Sequence, residues 1–396
     1  MHKPVMRRIG IVLVVALVLG AGAFLFFGPG LVDRQLNQVV DREPPPPLDR
    51  EDRGFHDMLF VADLHADPLL WQRDLLVEAD HGHVDVPRLI AGGVALQVFG
   101  VPTQVPSSIN YDENELDLDV VTALAVAQGW PMATWRSPLQ RALHLADELQ
   151  RTADASGERF RIIRSNQDLD LFVADRAASL DRVAGLLAIE GLHALEGDLD
   201  NVDVLFAAGY RMMGLMHFFD NRLGGSAHGI SKAGLSEFGR QVVERMQERR
   251  IVVDLAHASP KMIDDILAMA TAPVVVSHTG VKGTCDHIRN LSDEHIRGVA
   301  ETGGVVGIGY WDAAICDVDV DGIVRAIRYT ADLVGADHVG LGSDFDGATT
   351  TPFDTAGIPY ITRALTDAGF HARDVRKIMG GNVLRVLAAT LPPNAG

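Results

Sequence analysis

The sequence predicts a (β/α)8 barrel of the TIM type, with an insertion after its second strand and one transmembrane helix before it. Eight short runs rich in β-branched and apolar residues alternate with amphipathic helical patterns. These runs are apolar on both faces, which is typical of buried parallel strands. No GxGxxG motif follows the first run, so a doubly wound open sheet is the less favoured alternative.

Residues 1–30 are predicted to be a membrane anchor. Basic residues precede an uncharged apolar run over residues 9–27, and a helix of that length is about 28 Å long, close to the thickness of the hydrocarbon core. A cleaved signal peptide is the alternative, but its apolar core is usually shorter, and no small-residue cleavage site follows this run. The basic flank predicts a cytoplasmic N-terminus, with the rest of the chain in the periplasm or the extracellular space.

Residues 31–54 are predicted to be a linker, and residues 55–396 the folded domain. Four successive prolines at 44–47 favour an extended, semi-rigid spacer. The insertion is expected at Pro102–Arg182, between the second and third strands. The predicted strands are Met58–Leu64, Val94–Gly100, Val183–Ile189, Tyr210–Met216, Ile251–Leu255, Pro273–Ser277, Gly304–Gly309 and His338–Gly342.

Composition excludes several classes of protein. The chain has 396 residues, of which 47% are hydrophobic and 22% are charged, which is globular usage rather than that of a disordered chain. The formal net charge of −18 repels phosphate groups, so we expect no nucleic-acid partner. Two cysteines are too few for a disulfide scaffold.

Polar side chains stand where the predicted strands end, which is where (β/α)8 barrels carry their active sites. One histidine at such a place is usually a packing residue. A set drawn from six strand ends is harder to explain in that way, because each buried unpaired polar group costs about 1–3 kcal/mol. The pattern therefore predicts a shared metal site. In chain order the set is His65, Asp67, Glu190, His217, His257, His278 and Asp344.

The residue types limit the metal and its number. Imidazoles and carboxylates without a thiolate favour zinc, with manganese, cobalt and iron as alternatives. A typical mononuclear catalytic zinc site has three protein ligands, and a carboxylate that bridges two ions would account for a larger set. Glu190 is the candidate bridge, because it ends a central strand beside a glycine. The candidate ligands are His65, Asp67, Glu190, His257 and His278.

At these residues the sequence resembles the membrane dipeptidases (renal dipeptidase type, peptidase family M19). The resemblance extends from Phe55 to Leu391, and although each motif is weak alone, all six in order are a specific signal. The motifs are His65-x-Asp67, Glu190-Gly191-x-His193, Asp254-Leu255-x-His257, Pro273–His278, Arg289–Asp293 and Gly340–Gly347.

The resemblance implies a zinc-dependent dipeptidase on a (β/α)8 barrel, whose substrate is a dipeptide and whose cofactor is a pair of Zn²⁺ ions that share the attacking hydroxide. His65 and Asp67 would hold one ion. His257 and His278 would hold the other, and Glu190 would bridge the two.

The resemblance also implies roles for residues that contact the substrate, and side-chain chemistry supports them. The guanidinium of Arg289 can pair bidentately with the substrate carboxylate. His217 can contact the substrate and stabilise the developing oxyanion. Asp344, ionised beside two cations, can take a proton from water and return it to the leaving amine. Tyr310 is a further substrate-binding candidate, whereas Asp346 is expected to shape its loop.

The sequence departs from the family pattern in two places. Ala66 stands between the first two ligands, where many members have asparagine. The segment after Val101 matches no family pattern, although it borders the mouth of the site, so the side-chain preference of the substrate is left open. His193 matches a family position only loosely and is expected to lie behind the ligands.

Other functions and the assembly state also stay open. Another metal-dependent amidohydrolase, such as a deacetylase or lactonase, is the main alternative, although such enzymes commonly begin with His-x-His and use a bridging carbamylated lysine. A catalytically inactive, membrane-tethered binding protein is a further alternative. The sequence does not determine the number of subunits, and a homodimer is one possibility.

The two cysteines are predicted to form a disulfide, with two free thiols as the alternative if Cys316 lies too far along its loop for the Cα separation of about 4.4–6.8 Å that a bridge needs. Cys285 and Cys316 follow the sixth and seventh strands, so both lie in adjacent loops at the same end of the barrel. The predicted location outside the cytoplasm favours oxidation. A bridge there would help to fix the loop that carries Arg289.

Overall fold

A closed barrel of parallel strands forms the centre of the molecule. The computed structural model describes residues 22, 25, 27–40 and 47–394. Its strands are Gln38–Val39 (β1), Val61–Ala66 (β2), Val94–Phe99 (β3), Phe160–Ile162 (β4), Val183–Glu190 (β5), Tyr210–Gly214 (β6), Val252–Asp254 (β7), Val275–Thr279 (β8), Val305–Ile308 (β9), Val339–Leu341 (β10) and Thr350–Thr351 (β11). They pair in the order β3-β2-β10-β9-β8-β7-β6-β5, and a pairing of β3 with β5 closes the ring.

Helices surround this barrel. Ser236, Ser259 and Ser292 each begin a helix by accepting a hydrogen bond from the backbone N–H three residues on. The helices are Arg50–Asp57 (α1), Val86–Ala91 (α2), Val120–Ala127 (α3), Pro138–Ala155 (α4), Asn166–Ala178 (α5), Asn201–Ala208 (α6), Glu237–Glu248 (α7), Pro260–Leu267 (α8), Asp293–Glu301 (α9), Asp312–Ile315 (α10), Val320–Val334 (α11), Pro359–Asp367 (α12), Ala372–Arg376 (α13) and Asn382–Thr390 (α14).

The predicted (β/α)8 architecture is confirmed, and each predicted strand overlaps one strand of the barrel. The largest shift is in the first strand, which begins at Val61 rather than at Met58. Helix α1 extends to Asp57, and the exposed Met58 is its C-cap. The apolar run that predicts this strand therefore also includes the end of a helix.

The insertion after the second barrel strand contains α3, α4, β4 and α5. Strand β4 was not predicted; it pairs with the first residues of β5, Phe160 with Val183. The buried guanidinium of Arg141, on α4, donates to the carbonyls of Thr103 and Thr134, each at 2.7 Å. These bonds fix the insertion to the chain that leaves β3, directly above the carboxyl end of the barrel.

The prediction of a single-pass membrane anchor is wrong. Most of the predicted span, residues 9–27, lies outside the residues that the structure describes. Within the part of the chain that is described, no helix combines the length and the apolar character needed to cross a bilayer. This finding overturns the predicted single-pass location, and it supports neither the predicted transmembrane helix nor the membrane as a partner.

Residues 33–40, which fall in the predicted linker, lie against the barrel. Strand β1 pairs in parallel with β11, Gln38 with Thr350 and Val39 with Thr351. Asp33 and Asn37 are buried. The boundaries predicted at residues 30 and 54 stay predictions, but this short segment touches the loop that follows β10.

Candidate metal centre and active site

Three of the predicted ligands gather around one oxygen of a fourth, Glu190, and the fifth, Asp67, lies beside His65. Glu190, the last residue of β5, places Oε1 2.9 Å from Nε2 of His257, 3.2 Å from Nε2 of His278 and 3.7 Å from Nε2 of His65. His65 Nε2 is in turn 3.3 Å from Asp67 Oδ1. All five side chains are buried. The carboxyl ends of β2, β5, β7 and β8 thus bring three imidazoles and two carboxylates to one point.

His217 and Asp344 flank this cluster. His217 Nε2 lies 3.4 Å from Oε2 of Glu190, whereas the three ligand imidazoles contact the other oxygen, Oε1. Its Nδ1 bonds to the carbonyl of Gln104 at 3.2 Å, so Nδ1 carries the proton in that bond. Asp344 Oδ1 lies 4.0 Å from His65 Nε2. Both residues line the same cavity.

His257, Asp344 and Asp346, at this end of the barrel, have left-handed backbone. The φ angles are +61° at His257, +59° at Asp344 and +62° at Asp346. Among residues other than glycine, Asp and His tolerate this region best, and such conformations persist where neighbouring structure fixes them. The turns direct the side chains inward immediately after β7 and β10.

Two buried carboxylates hold the strand ends in register behind the cluster. Asp63 accepts hydrogen bonds from the backbone N–H of His65 (3.1 Å) and from that of Ser343 (3.0 Å). Asp254 accepts from the N–H groups of Ala256 (3.0 Å) and Ser277 (2.8 Å). Each carboxylate therefore joins the strand that precedes one ligand to the strand beside it. Burial raises the pKa of Asp63, against these hydrogen bonds.

The donor atoms fit divalent metal ions. His65 Nε2 and Asp67 Oδ1 are buried and have no hydrogen-bond partner among the described residues, which is costly for the protein alone and is relieved by a cation. Three groups of three residues can each offer a metal ion donor atoms that lie within 4.8 Å of one another. These groups are His65–Glu190–His278, Glu190–His217–His257 and His65–Asp67–Asp344.

The electrostatics of the site point the same way. Burial raises the pKa of Glu190 well above its usual range, and the Asp67 carboxylate adds to this. Burial likewise raises the pKa of Asp344 to about 8. Burial lowers the pKa values of His257 and His278 well below the ordinary value. Neutral imidazoles beside crowded carboxylates are what a bound cation needs and would stabilise.

Arg289 lies at the edge of this cluster. One of its guanidinium nitrogens, Nη2, donates to the carbonyl of His278 at 2.7 Å, and its Cζ lies 5.6 Å from the ring centre of Trp311. The predicted disulfide is confirmed: Cys285 and Cys316 are bonded, with a Cα–Cα distance of 5.6 Å. It joins the loop of Arg289 to the segment after β9.

Comparison with known proteins decides the family. A model of the membrane dipeptidases, peptidase family M19, matches residues 50–391. The chain belongs to the M19 family. Its activity is accordingly that of a metal-dependent dipeptidase, a hydrolase of peptide bonds.

This M19 chain is similar to a protein named as a dipeptidase and to solved structures of metallo peptidases. Dipeptidase tcpJ of Claviceps purpurea is 28% identical over 353 residues, which cover 86% of this chain and 77% of tcpJ. The crystal structure of a metallo peptidase from Rhodobacter sphaeroides, liganded with a phosphinate mimic of the dipeptide L-Ala-D-Ala, is 27% identical. The two structures match with a TM-score of 0.70, and the match covers 84% of this chain and 99% of the Rhodobacter sphaeroides chain. The structure of dipeptidase AC, a metallo peptidase, has 25% identity and a TM-score of 0.68, with coverages of 84% and 99%.

The cluster of candidate metal ligands forms the floor of a cavity of about 310 Å³. Its walls come from the insertion, from the turn after β2, from Leu36 and from Trp311, whereas the sequence indicated only that the segment after Val101 borders the mouth of the site. The alternation of apolar residues in the insertion resembles any amphipathic surface, so nothing in it marked these positions. The apolar wall residues are Leu36, Leu70, Trp71, Val105, Ile109, Val120, Val121 and Leu124.

The structure does not bring Tyr310 to this cavity. Its ring is fully buried and packs against Phe345 and Phe353, with centroids 5.5 and 5.8 Å away. Asp346 shapes its loop, as expected, because its carboxylate accepts from the backbone N–H groups of His83 (2.7 Å) and Val84 (3.0 Å).

His193 lies behind the ligands. Its buried ring stacks on Phe219 with centroids 4.3 Å apart, and it is not a wall of the cavity.

Proposed function

We propose that this chain hydrolyses the peptide bond of dipeptides with two zinc ions held at the carboxyl end of the barrel. The observation that carries the proposal is the convergence of His65, His257 and His278 on one oxygen of Glu190, all within 3.7 Å. Imidazole nitrogens gathered around a carboxylate are the kind of donor set that zinc prefers.

The ligands divide into two sets that share Glu190. His65 and Asp67 would hold one ion, because their unpaired atoms lie 3.3 Å apart. His257 and His278 would hold the other, because their Nε2 atoms lie 3.1 Å apart. When bound, such a pair polarises the peptide carbonyl and supplies a hydroxide nucleophile at neutral pH.

Asp344 is the residue that we propose moves the proton. Its carboxyl lines the cavity beside the ligands, where it can accept a proton from the attacking water and donate it to the leaving nitrogen. Burial already makes the protonated form of Asp344 accessible near neutral pH, since its pKa is raised to about 8. Two neighbouring cations would lower that pKa and restore the base.

We propose that His217 and Arg289 bind the substrate. Because His217 Nδ1 donates to the Gln104 carbonyl, Nε2 of the neutral ring is an acceptor, and burial lowers the pKa of His217 to about 4. This tautomer favours a hydrogen bond from a substrate N–H over the predicted donation to an oxyanion. Arg289 lines the same cavity and presents a positive charge to the substrate carboxylate.

The test combines metal content with substrate choice. The protein is purified, its zinc is measured by mass spectrometry, and hydrolysis of Ala-Ala, Ala-Ala amide and N-acetyl-alanine is followed before and after chelation. We expect two zinc ions per chain and hydrolysis of free Ala-Ala only, lost on chelation and restored by zinc. Hydrolysis of N-acetyl-alanine in preference to Ala-Ala would favour the deacetylase alternative. Zinc binding without any hydrolysis would favour a binding protein.

A further inference from the structure

We propose that residues 33–40, which precede the barrel, complete the substrate pocket, and that Leu36 selects dipeptides that carry a large apolar side chain. The proposal rests on the proposed dipeptidase function and names a residue that determines its specificity.

The segment is fixed to the loop that carries Asp344. Asn37 Oδ1 accepts from the backbone N–H of Ala348 at 2.9 Å, and Gln38 N–H donates to the carbonyl of Thr349 at 3.2 Å. Ala348 and Thr349 themselves line the cavity. The segment is therefore bonded directly to a wall of the catalytic pocket.

A buried ion network adds a second attachment. Asp33 Oδ2 lies 2.9 Å from Nε of Arg73, and Arg73 Nη2 lies 2.8 Å from Oδ1 of Asp346. All three side chains are buried or nearly so. Breaking one partner of such a buried network leaves an uncompensated charge, which is strongly destabilising, so the segment is held in one place.

These attachments set Leu36 at the mouth of the cavity. Leu36 is 41% exposed and lines the cavity together with Leu70, Val105 and Ile109. The walls are apolar while the floor carries the charged and imidazole groups. A dipeptide whose polar backbone faces the floor would place a side chain against these walls, and an apolar side chain there covers exposed apolar surface.

The same helical residues supply a matched control. Leu31 is also a leucine of the segment 27–36, is 64% exposed and does not line the cavity. Leu36→Ala and Leu31→Ala therefore remove the same atoms from the same stretch of chain, and only the first removes them from the pocket.

The experiment compares kcat/KM for Ala-Ala, Leu-Ala and Ala-Leu in the full chain with zinc bound. In Leu36→Ala we expect kcat/KM for at least one leucine-containing dipeptide to fall about 5- to 10-fold relative to Ala-Ala. That is the low end of what removing apolar contacts from a pocket does, because Leu36 covers one side only. Leu36→Met, which conserves volume, should restore the ratio, and Leu31→Ala should leave it unchanged.

Each outcome is decisive. An unchanged ratio in Leu36→Ala, an equal fall for all three dipeptides, or the same change in Leu31→Ala would overturn the role of Leu36 while leaving the dipeptidase function intact. A wild-type protein that binds zinc but hydrolyses none of the three would instead overturn the proposed function, and this proposal with it.

Discussion

Gly100 is the sharpest test of the metal site, because a single methyl group there would collide with two ligands. A Cβ built on Gly100 lies 2.3 Å from Asp67 Oδ1 and 2.7 Å from Cε1 of His65, whereas ordinary contacts are 3.4–4 Å. In Gly100→Ala, at least one ligand must therefore move by about 1 Å, and functional metal sites tolerate about 0.2 Å in ligand distance. The backbone of Gly100 does not require glycine, since its φ is not positive.

We expect Gly100→Ala to weaken zinc binding by at least about 10- to 100-fold, the effect of disturbing the groups that orient metal ligands. Zinc affinity is measured by competition with a chelating dye, and thermal unfolding checks that the variant is folded. Gly214→Ala is the matched control, because a Cβ at this barrel glycine meets Ile189 O at 3.4 Å and Asp254 Oδ2 at 3.6 Å, which is ordinary contact. A folded Gly100→Ala that binds two zinc ions as tightly as wild type would refute the assignment of His65 and Asp67.

Three other substitutions separate the remaining roles. Glu190→Ala should loosen both ions together, since its Oε1 faces His65 of one set and His257 and His278 of the other; elemental analysis showing one ion still tightly bound would contradict the bridge. Asp344→Asn should keep both ions and lower kcat by about 10²- to 10⁴-fold, because an amide cannot accept and return a proton; a near-normal kcat would move that role elsewhere. Arg289→Ala should raise KM far more than it lowers kcat, and equal hydrolysis by wild type of free and C-terminally amidated dipeptides would exclude its carboxylate-binding role.

The strands and the ligands could be predicted because they follow from short-range patterns. A barrel strand is buried on both faces, so β9 and β10 appear in the sequence as unbroken apolar runs. Parallel strands in a barrel all end on one face, so residues separated by long stretches of chain, such as His65 and His278, must converge there. The barrel topology therefore predicts which residues lie close together, even where no individual contact between them can be predicted.

The walls of the cavity and the role of Tyr310 could not be predicted, because they depend on contacts between distant segments. Leu36 reaches the pocket through long-range attachments such as the hydrogen bond from Ala348 to Asn37, which no local sequence pattern predicts. Tyr310 follows a strand, but its ring turns away from the cavity toward Phe345 and Phe353. Position after a strand places a residue at the right end of the barrel and leaves the direction of its side chain undetermined.

Asp344 and Asp346 show how environment separates two residues that the sequence makes look alike. Both are aspartates in left-handed backbone on one turn, with φ of +59° and +62°. Asp346 faces Arg73 at 2.8 Å and accepts two backbone N–H groups, so its charge is balanced and held within the protein. Asp344 lines the same cavity as Asp346, but it faces His65 at 4.0 Å rather than a guanidinium, and burial raises its pKa to about 8. A carboxyl whose charge the protein leaves unbalanced is the one that can exchange a proton during a reaction, which is why we assign the proton transfer to Asp344 and the shape of the turn to Asp346.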